Sequence, residues 1–337
     1  MIKPVLYWTL AVMLVFLGGA LLLPAEVRFE RSVTIDRPVS TVFTVLERPE
    51  RLPQWLPRLA GEKTRIAFEG PRSGPGAAMQ WSGKRRISGE GRLEIVHSKP
   101  FNSVAARVKV EGEGEGVIEL AFHEAGAGTI VTAQVSADFV GERGFMGRMV
   151  ARWFGLLFER WAAPGLEGYL ARARRHIDTL PPADFAGLDV SLLKVEPVDV
   201  LTATVDENGP AEAYRRIAVF MAEQDIERSG EPMRVSYLAD NGIARIDAQV
   251  PVERVQAQTA AGVRWGRSPG GWAAVAVHHG PGTTAADTRQ KLDAWLAANE
   301  YRVLPLIWEQ YVTDPEETAG SEQLIRLYAA LAEAPGS

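Results

Sequence analysis

The sequence predicts an α+β protein in which an N-terminal membrane helix precedes two soluble domains, each combining antiparallel strands with helices. Three observations carry this prediction. No charged residue lies between Pro4 and Ala25. Strand-like alternation and helix-like apolar stripes follow one another along residues 27–179, and a strand–helix–strand–strand order occurs twice in residues 191–331. The chain of 337 residues also exceeds what one hydrophobic core normally organises, which favours two domains.

The composition excludes several classes of function. Apolar residues make up 46% of the chain and charged residues 23%, as in ordinary globular proteins. The net charge is −5 and no Lys/Arg cluster suited to phosphate backbones occurs, so we expect no nucleic-acid partner. The absence of cysteine excludes disulfides and thiolate sites, and the five histidines lack metal-ligand spacing. We therefore expect no metal and no cofactor.

Residues 1–26 are predicted to form a transmembrane anchor, because a helix needs roughly 20 apolar residues to cross a bilayer. Tyr7 and Trp8 lie near one end, where aromatic rings favour the membrane interface. A cleaved secretory signal is the alternative, although Leu23-Pro24-Ala25 is a poor cleavage site. The flanking positive charges do not choose a side of the membrane. The short head and large polar remainder favour a single-pass protein with its soluble part on the extracytoplasmic side.

Residues 27–179 are predicted to form a strand, a short helix, several further strands and a long closing helix. Every second residue from Val27 to Ile35 belongs to one face of the predicted strand, namely Val27, Phe29, Arg31, Val33 and Ile35, and the residues between them are mainly polar. Pro38 suits the first turn of the helix that follows. Six further strands are predicted near residues 64–69, 77–81, 89–95, 103–110, 117–123 and 129–139. The closing helix begins near Met146, and we expect Pro164-Gly165 to kink or interrupt it.

This first domain resembles the START-like superfamily of polyketide cyclases and lipid-transfer proteins. The resemblance is carried by Val33-Thr-Ile35 with Arg37-Pro38 and Val42-Phe43, by Glu50-Arg-Leu-Pro-Gln-Trp55-Leu-Pro57, by Gly74-Pro-Gly76 and by Gly128-Thr129. It implies a curved antiparallel sheet that grips the long helix and leaves a cavity for an apolar ligand. Candidate lining residues are Trp55, Trp81, Phe139 and Trp153, with Trp161 facing the same space; a packed core would use the same residue types.

Residues 180–190 are predicted to be a linker, and residues 191–331 to contain an internal duplication. In the first copy, a strand near 193–206 precedes a helix opened by Pro210 and strands at 233–238 and 244–250. In the second copy, a strand at 271–278 precedes a helix and strands at 306–312 and 322–327. The second helix is predicted to start with a capping box at Thr284 and Asp287.

The duplicated unit resembles the gyrase-inhibitory-protein-like family, the effector-binding domain of AraC-type regulators. The resemblance is carried by Ala244–Pro251, Gly280-Pro281, Trp295-Leu296, Trp308-Glu309-Gln310-Tyr311 and Asp314-Pro315. It implies a groove between the two copies with aromatic walls and a carboxylate, Glu309, that selects a cationic or polar aromatic guest. No helix-turn-helix pattern accompanies it.

The strand pattern places Glu309 and Tyr311 on one face, with Trp308 on the other. Tyr237 is expected to form the opposite wall of the groove, and Trp265 and Trp272 flank a loop that can close over a flat guest. An exposed strand edge is the alternative setting for Glu309. Alternatively, Tyr237 and Tyr311 only pack against each other across neighbouring strands and line no groove.

These patterns favour a membrane-anchored protein that binds small molecules without covalent chemistry. One ligand would be hydrophobic and occupy the first domain; the other would be aromatic or cationic and bind at Glu309. An enzyme is the alternative, either cyclase-like or a hydrolase of reactive compounds that uses Glu309 with an aromatic such as Trp265 or Trp272. A scaffold whose pockets are filled by its own side chains is a third hypothesis.

Overall fold

The computed structural model describes residues 2–24, 26–56, 64–83, 89–111, 114–138, 144–239, 242–253, 262–313 and 318–334. The side chains of residues 2–6, 9, 10 and 154 lie outside this description. The chain divides into two compact units, Met1–Asp184 and Phe185–Ser337, and the boundary falls within residues 180–190.

The described residues of the first unit form one sheet and four α-helices. Its elements are α1 (Ile2–Leu22), β1 (Glu26–Ile35), α2 (Val39–Leu46), α3 (Leu52–Trp55), β2 (Arg65–Glu69), β3 (Ala78–Ser82), β4 (Glu90–Lys99), β5 (Ser103–Val110), β6 (Gly114–Ala125), β7 (Gly128–Asp138) and α4 (Phe145–Ile177). The sheet order is β1-β7-β6-β5-β4-β3-β2, and every neighbouring pair is antiparallel. The predicted sheet and long helix are therefore confirmed, and α4 packs against β1 and α2.

Pro164-Gly165 was expected to kink or interrupt the long helix, and the interruption does not occur. α4 runs from Phe145 to Ile177 with Pro164 inside it. Proline removes one hydrogen bond and crowds the preceding turn. Here Ala163 on one side and Tyr169 on the other are both buried, so packing holds the helix together across the proline.

The structure gives no support to the transmembrane anchor predicted at residues 1–26. Among the described residues, no helix is both long and apolar enough to span a bilayer. The C-terminal half of α1 instead packs against α4. The Phe16 and Trp153 rings stack with centroids 5.8 Å apart, and the Trp153 Nε1–H donates to the Phe16 carbonyl at 3.1 Å. Arg152 donates to the carbonyls of Ala20 and Leu21, both at 3.2 Å, at the C-terminal end of α1.

In the part of the second unit that the structure describes, there are one sheet and two α-helices. Its elements are β8 (Val190–Val195), β9 (Asp199–Thr204), α5 (Gly209–Glu223), β10 (Met233–Ala239), β11 (Gly242–Pro251), β12 (Arg264–Arg267), β13 (Gly271–His279), α6 (Ala285–Ala298), β14 (Val303–Tyr311) and β15 (Leu324–Leu331). The sheet order is β12-β9-β11-β10-β14-β15-β13-β8. The predicted single strand at 193–206 is two strands, because Pro197 interrupts the run and cannot donate to a ladder.

The internal duplication is visible in the topology of this sheet. One copy is β9-α5-β10-β11 and the other is β13-α6-β14-β15, and they meet where β10 pairs with β14. β8 precedes the first copy but pairs with β13 of the second, whereas β12 precedes the second copy and pairs with β9 of the first. This exchange of leading strands ties the two copies into a single sheet.

Both helices lie on one face of this sheet, each over its own cluster of buried residues. A third cluster, which includes Val235, Trp308 and Tyr328, lies on the opposite face. The predicted capping box is wrong in detail: the Thr284 hydroxyl makes no side-chain cap on α6 and donates to the Pro281 carbonyl at 2.9 Å.

Candidate ligand-binding site

A cavity of about 940 Å³ lies in the first unit between the sheet and α4. Most of its wall is apolar. The sheet contributes Met79, Trp81, Leu93, Ile95, Val104, Ala106, Val108, Val110, Val117, Ile118, Leu120 and Val135. The helices contribute Leu46, Leu52, Phe158, Trp161, Ala162 and Leu166, and Leu56 follows the end of α3. A cavity of this size and lining is suited to a drug-sized hydrophobic molecule.

Strand periodicity explains the wall. Val104, Ala106, Val108 and Val110 alternate along β5, so all four point to the same face of the sheet. Trp81 is held beside them because Gly91, its partner on β4, has no side chain: a Cβ there would lie 2.2 Å from Trp81 Cζ2. The small residue on one strand thus makes room for the large ring on the next.

A polar pair on α4 faces the cavity. Tyr169 and Arg172 are three residues apart and therefore lie on the same side of the helix. The Arg172 Nε–H donates to the carbonyl of Trp55 at 2.5 Å, and the Trp55 ring packs edge-on against Tyr169 with centroids 5.8 Å apart. Burial raises the pKa of Tyr169 well above its ordinary value, so its hydroxyl stays protonated.

The other end of the cavity lies near aromatic residues of the first half of α4. Phe158 packs edge-on against Phe29 at 5.9 Å, and Trp161 lies 6.3 Å from Phe158. Trp161 lines the cavity and is also 54% exposed to solvent, so it lies at an opening. Glu115 and Asp138, cross-strand partners on β6 and β7, also border this end.

The predicted cavity residues have four different positions. Trp81 lines the cavity. Trp55 is buried behind Tyr169, where it contacts the lining residues without being one of them. Trp153 faces α1: its ring stacks on the Phe16 ring, and its N–H donates a hydrogen bond to the Phe16 carbonyl. Phe139 lies outside the described residues.

In the second unit, the carboxylate of Glu309 is already paired. Arg234, its cross-strand neighbour on β10, donates from Nη2 to Glu309 Oε1 at 2.7 Å, and the Tyr311 hydroxyl donates to Oε2 at 3.3 Å. The Tyr214 hydroxyl of α5 donates to the Met233 carbonyl at 2.8 Å. Burial raises the pKa of Tyr311 to about 12. A cationic guest would therefore compete with Arg234 for this carboxylate.

The other aromatic residues predicted around Glu309 belong to separate clusters. Tyr237 lies on the face opposite to Glu309, with the guanidinium of Arg245 4.0 Å above its ring. Trp265 packs against the cluster beneath α5, and Trp272 packs against the cluster beneath α6. The structure brings Glu309 and Tyr311 together. Their aromatic neighbour is Tyr214, not Tyr237, Trp265 or Trp272.

Sequence reasoning missed Tyr169, Arg172, Arg234 and Tyr214. The spacing of Tyr169 and Arg172 could have predicted that they act together, since residues three apart lie on the same face of a helix. The pairing of Arg234 with Glu309 depends on the register of β10 and β14, which the sequence pattern does not state. Among the described residues, no group of His, Asp and Glu side chains is arranged to hold a metal ion.

Comparison with known families agrees with the helix-grip architecture. Residues 26–177 match the family described as polyketide cyclase, dehydrase and lipid transport. The match spans most of the first unit and less than half of the chain. The apolar cavity between sheet and helix agrees with what this resemblance implies. The predicted resemblance of residues 191–331 to the gyrase-inhibitory-protein-like family stays a prediction.

Solved structures similar to the chain share little sequence with it. The ginseng major latex-like protein 151 from Panax ginseng is 15% identical, covers 45% of this chain and 98% of its own, and gives a TM-score of 0.33. The di-domain ARO/CYC StfQ from the steffimycin biosynthetic pathway is 17% identical over 45% of this chain and 50% of its own, with a TM-score of 0.35. The EcmrR C-terminal domain is 12% identical over 44% of this chain and 99% of its own, with a TM-score of 0.39. No curated protein matches the chain.

Proposed function

We propose that this protein binds a hydrophobic small molecule in the cavity of its polyketide cyclase-like domain and acts at a lipid bilayer. The cavity of about 940 Å³ carries the proposal. Buried apolar surface stabilises a complex by about 25 cal/mol per Å² before the costs of association are subtracted, so an apolar guest is strongly favoured over water in such a space.

Membrane attachment is the second part of the proposal, and exposed apolar side chains support it. On α1 these are Tyr7, Trp8, Val12, Met13, Leu14, Val15, Leu21 and Leu22; on α4 they are Phe145, Met146, Val150, Leu156, Leu157 and Trp161. Soluble proteins rarely expose contiguous apolar surface on this scale. Because α1 packs against α4, we treat the two sets as one surface, which we call the α1/α4 surface. Placement of the soluble units on the extracytoplasmic side belongs to the same proposal.

The α1/α4 surface includes Trp161, which also lines the cavity opening. A hydrophobic ligand could therefore pass from lipid into the cavity without crossing bulk water. This arrangement explains why an apolar surface and an apolar cavity occur on the same helix.

A polar aromatic site in the second unit is the third part. Arg234, Glu309, Tyr311 and Tyr214 lie close together on the helix-bearing face of the sheet. The Glu309 side chain is 22% exposed and that of Arg234 36%, so a ligand can reach both charges. We propose that this pair binds a polar aromatic guest. The cyclase-like alternative is not favoured, and no described contact favours a hydrolase.

The binding part can be tested on the full-length protein purified in a non-ionic detergent. Mass spectrometry of the solvent extract should detect a hydrophobic compound at a fixed ratio to protein. Ala162→Trp, which places a large ring in the cavity wall, should abolish that compound. Ala171→Trp, at an exposed position of the same helix, should not. An equal yield from both variants would contradict the binding proposal.

The membrane part can be tested by flotation with phosphatidylcholine vesicles. The wild-type chain should float with the vesicles, and the double variant Val15→Glu/Leu157→Glu should float less. Val219→Glu, on an exposed apolar position of α5, is the matched control and should float like the wild type. Flotation that is unchanged in the double variant would refute attachment through the α1/α4 surface.

A further inference from the structure

The charges around the cavity are unevenly distributed. Three carboxylates border the cavity, and each already interacts with another group of the protein. Glu47 accepts a hydrogen bond from the Ser98 hydroxyl at 2.5 Å, and Glu115 forms an ion pair with Arg107 at 3.1 Å. Asp138 is also engaged in an interaction. Arg172 differs. Among the described residues it has no carboxylate partner, and its one hydrogen bond uses Nε alone.

The two Nη groups of Arg172 are directed along the cavity wall. A Cβ built on Gly168, another lining residue, would lie 3.3 Å from Nη1 and 3.4 Å from Nη2. Gly168 thus leaves space beside the guanidinium. Arg172 is only partly buried, yet it faces a predominantly apolar cavity. A charge in such surroundings is costly unless a counter-charge accompanies it.

Tyr169 adds a second donor on the same helix face. Its ring is fixed by Trp55, and Trp55 also fixes Arg172 through its carbonyl, so one residue positions both donors. No described residue accepts a hydrogen bond from the Tyr169 hydroxyl. A forked guanidinium with an adjacent O–H donor matches the geometry of a carboxylate or phosphate group.

The length of the cavity indicates the shape of the rest of the ligand. Lining residues on α4 extend from Phe158 to Arg172. At a rise of 1.5 Å per residue, this stretch of helix is about 21 Å long. Its Phe158 end is aromatic and lies beside the exposed Trp161, and the paired acids Glu115 and Asp138 border the same end. An anion is therefore favoured at the Arg172 end only.

We propose that Arg172 and Tyr169, positioned by Trp55, bind the anionic head of an amphiphile whose single long apolar body fills the cavity. This inference rests on the proposed hydrophobic-ligand function and specifies its ligand class: a long-chain acid with a carboxylate or phosphate head. The apolar tail points toward the α1/α4 surface, and the head lies at the deep end near the C-terminus of α4.

The test measures binding of tritiated oleate to the full-length protein in a non-ionic detergent by scintillation proximity, with oleyl alcohol as the uncharged competitor. The wild type should bind oleate about ten- to a hundredfold more tightly than the alcohol, the factor expected for charge-assisted hydrogen bonds. Arg172→Gln should remove this preference while leaving alcohol binding unchanged. Arg172→Lys should restore part of it, and Tyr169→Phe should lose a smaller part.

Arg175→Gln is the control, because Arg175 is exposed on the same helix and does not line the cavity. It should bind both compounds like the wild type. Equal affinity of the wild type for acid and alcohol would overturn the head-group assignment and leave the proposed function standing. An oleate affinity unaffected by Arg172→Gln would do the same. Binding of neither compound would overturn both.

A second arm uses lysophosphatidic acid with the same acyl chain. Tighter binding of this phosphate than of oleate, again lost in Arg172→Gln, would assign the head as a phosphate. The reverse order would assign it as a carboxylate. If Arg172→Gln changes neither the affinity for lysophosphatidic acid nor that for oleate, the proposal is wrong.

Discussion

The packing of α1 against α4 depends on a glycine, which gives a sharp test of this contact. A Cβ at Gly19 would lie 2.7 Å from Trp153 Cζ2, whereas a Cβ at Gly18 would meet nothing within 4 Å. Gly19→Val should therefore push the Trp153 ring away from α1, and Gly18→Val should not. Both substitutions change helix propensity equally, so their difference isolates the contact.

The expected magnitude follows from the interactions lost. The Phe16–Trp153 ring stack is worth about 0.5–1.5 kcal/mol, and the Trp153 hydrogen bond to the Phe16 carbonyl a similar amount. Together these give about 1–3 kcal/mol of local stability. At 1.4 kcal/mol per factor of ten, amide exchange in α1 should accelerate by roughly five- to 150-fold.

Hydrogen–deuterium exchange of the full-length protein, read by mass spectrometry on peptides from residues 2–22, measures this directly. Exchange should be faster in Gly19→Val than in the wild type or in Gly18→Val. Exchange in β5 should be the same in all three proteins. If both glycine variants exchange α1 amides at the same rate, the reasoning that places Trp153 against α1 is refuted.

Three further predictions concern single sites. Glu309→Gln leaves the half-buried Arg234 without its counter-charge and should lower the free energy of unfolding of the second unit by about 1–2 kcal/mol in urea. The exposed control Glu227→Gln should leave it unchanged. The pKa of Tyr311 is raised from 10.0 to about 12, so between these pH values the folded state keeps the phenol proton and the unfolded state loses it. The free energy of unfolding should therefore fall as the pH rises from 10 to 12, and Tyr311→Phe should make this fall smaller. Gly91→Ala should displace Trp81 and lower the melting temperature by several degrees. Gly165→Ala, whose Cβ meets nothing within 4 Å inside α4, should not lower it.

The sheets and helices of both units follow from periodicity. The sequence predicted a strand at residues 103–110, which is β5, and the helical stripe predicted α4. Periodicity could not show whether the sheet encloses a cavity or a packed core, since both use the same residue types. The position of α4 relative to the sheet decides this, and that position is a tertiary property.

Trp153 illustrates a second limit. Its place in the apolar stripe of α4 predicted that it faces the same space as Trp161. In the structure α1, more than a hundred residues earlier in the chain, supplies the Phe16 ring and carbonyl that hold it. A contact at this sequence separation leaves no local signal.

Glu309 illustrates a third limit. Alternation correctly separated it from Trp308 and grouped it with Tyr311. The carboxylate looked unpaired in the sequence because its partner, Arg234, lies 75 residues away on a neighbouring strand. Only the register of β10 against β14 reveals the pair.

The central claim is that the first unit holds an apolar guest in its interior. The most direct measurement is the stoichiometry of a dansyl-labelled long-chain fatty acid bound to full-length wild type, Ala162→Trp and Ala171→Trp. We expect saturation at one probe per chain for the wild type and Ala171→Trp, and no saturable binding for Ala162→Trp. Saturable binding that survives Ala162→Trp unchanged would place the guest outside the cavity and contradict the account.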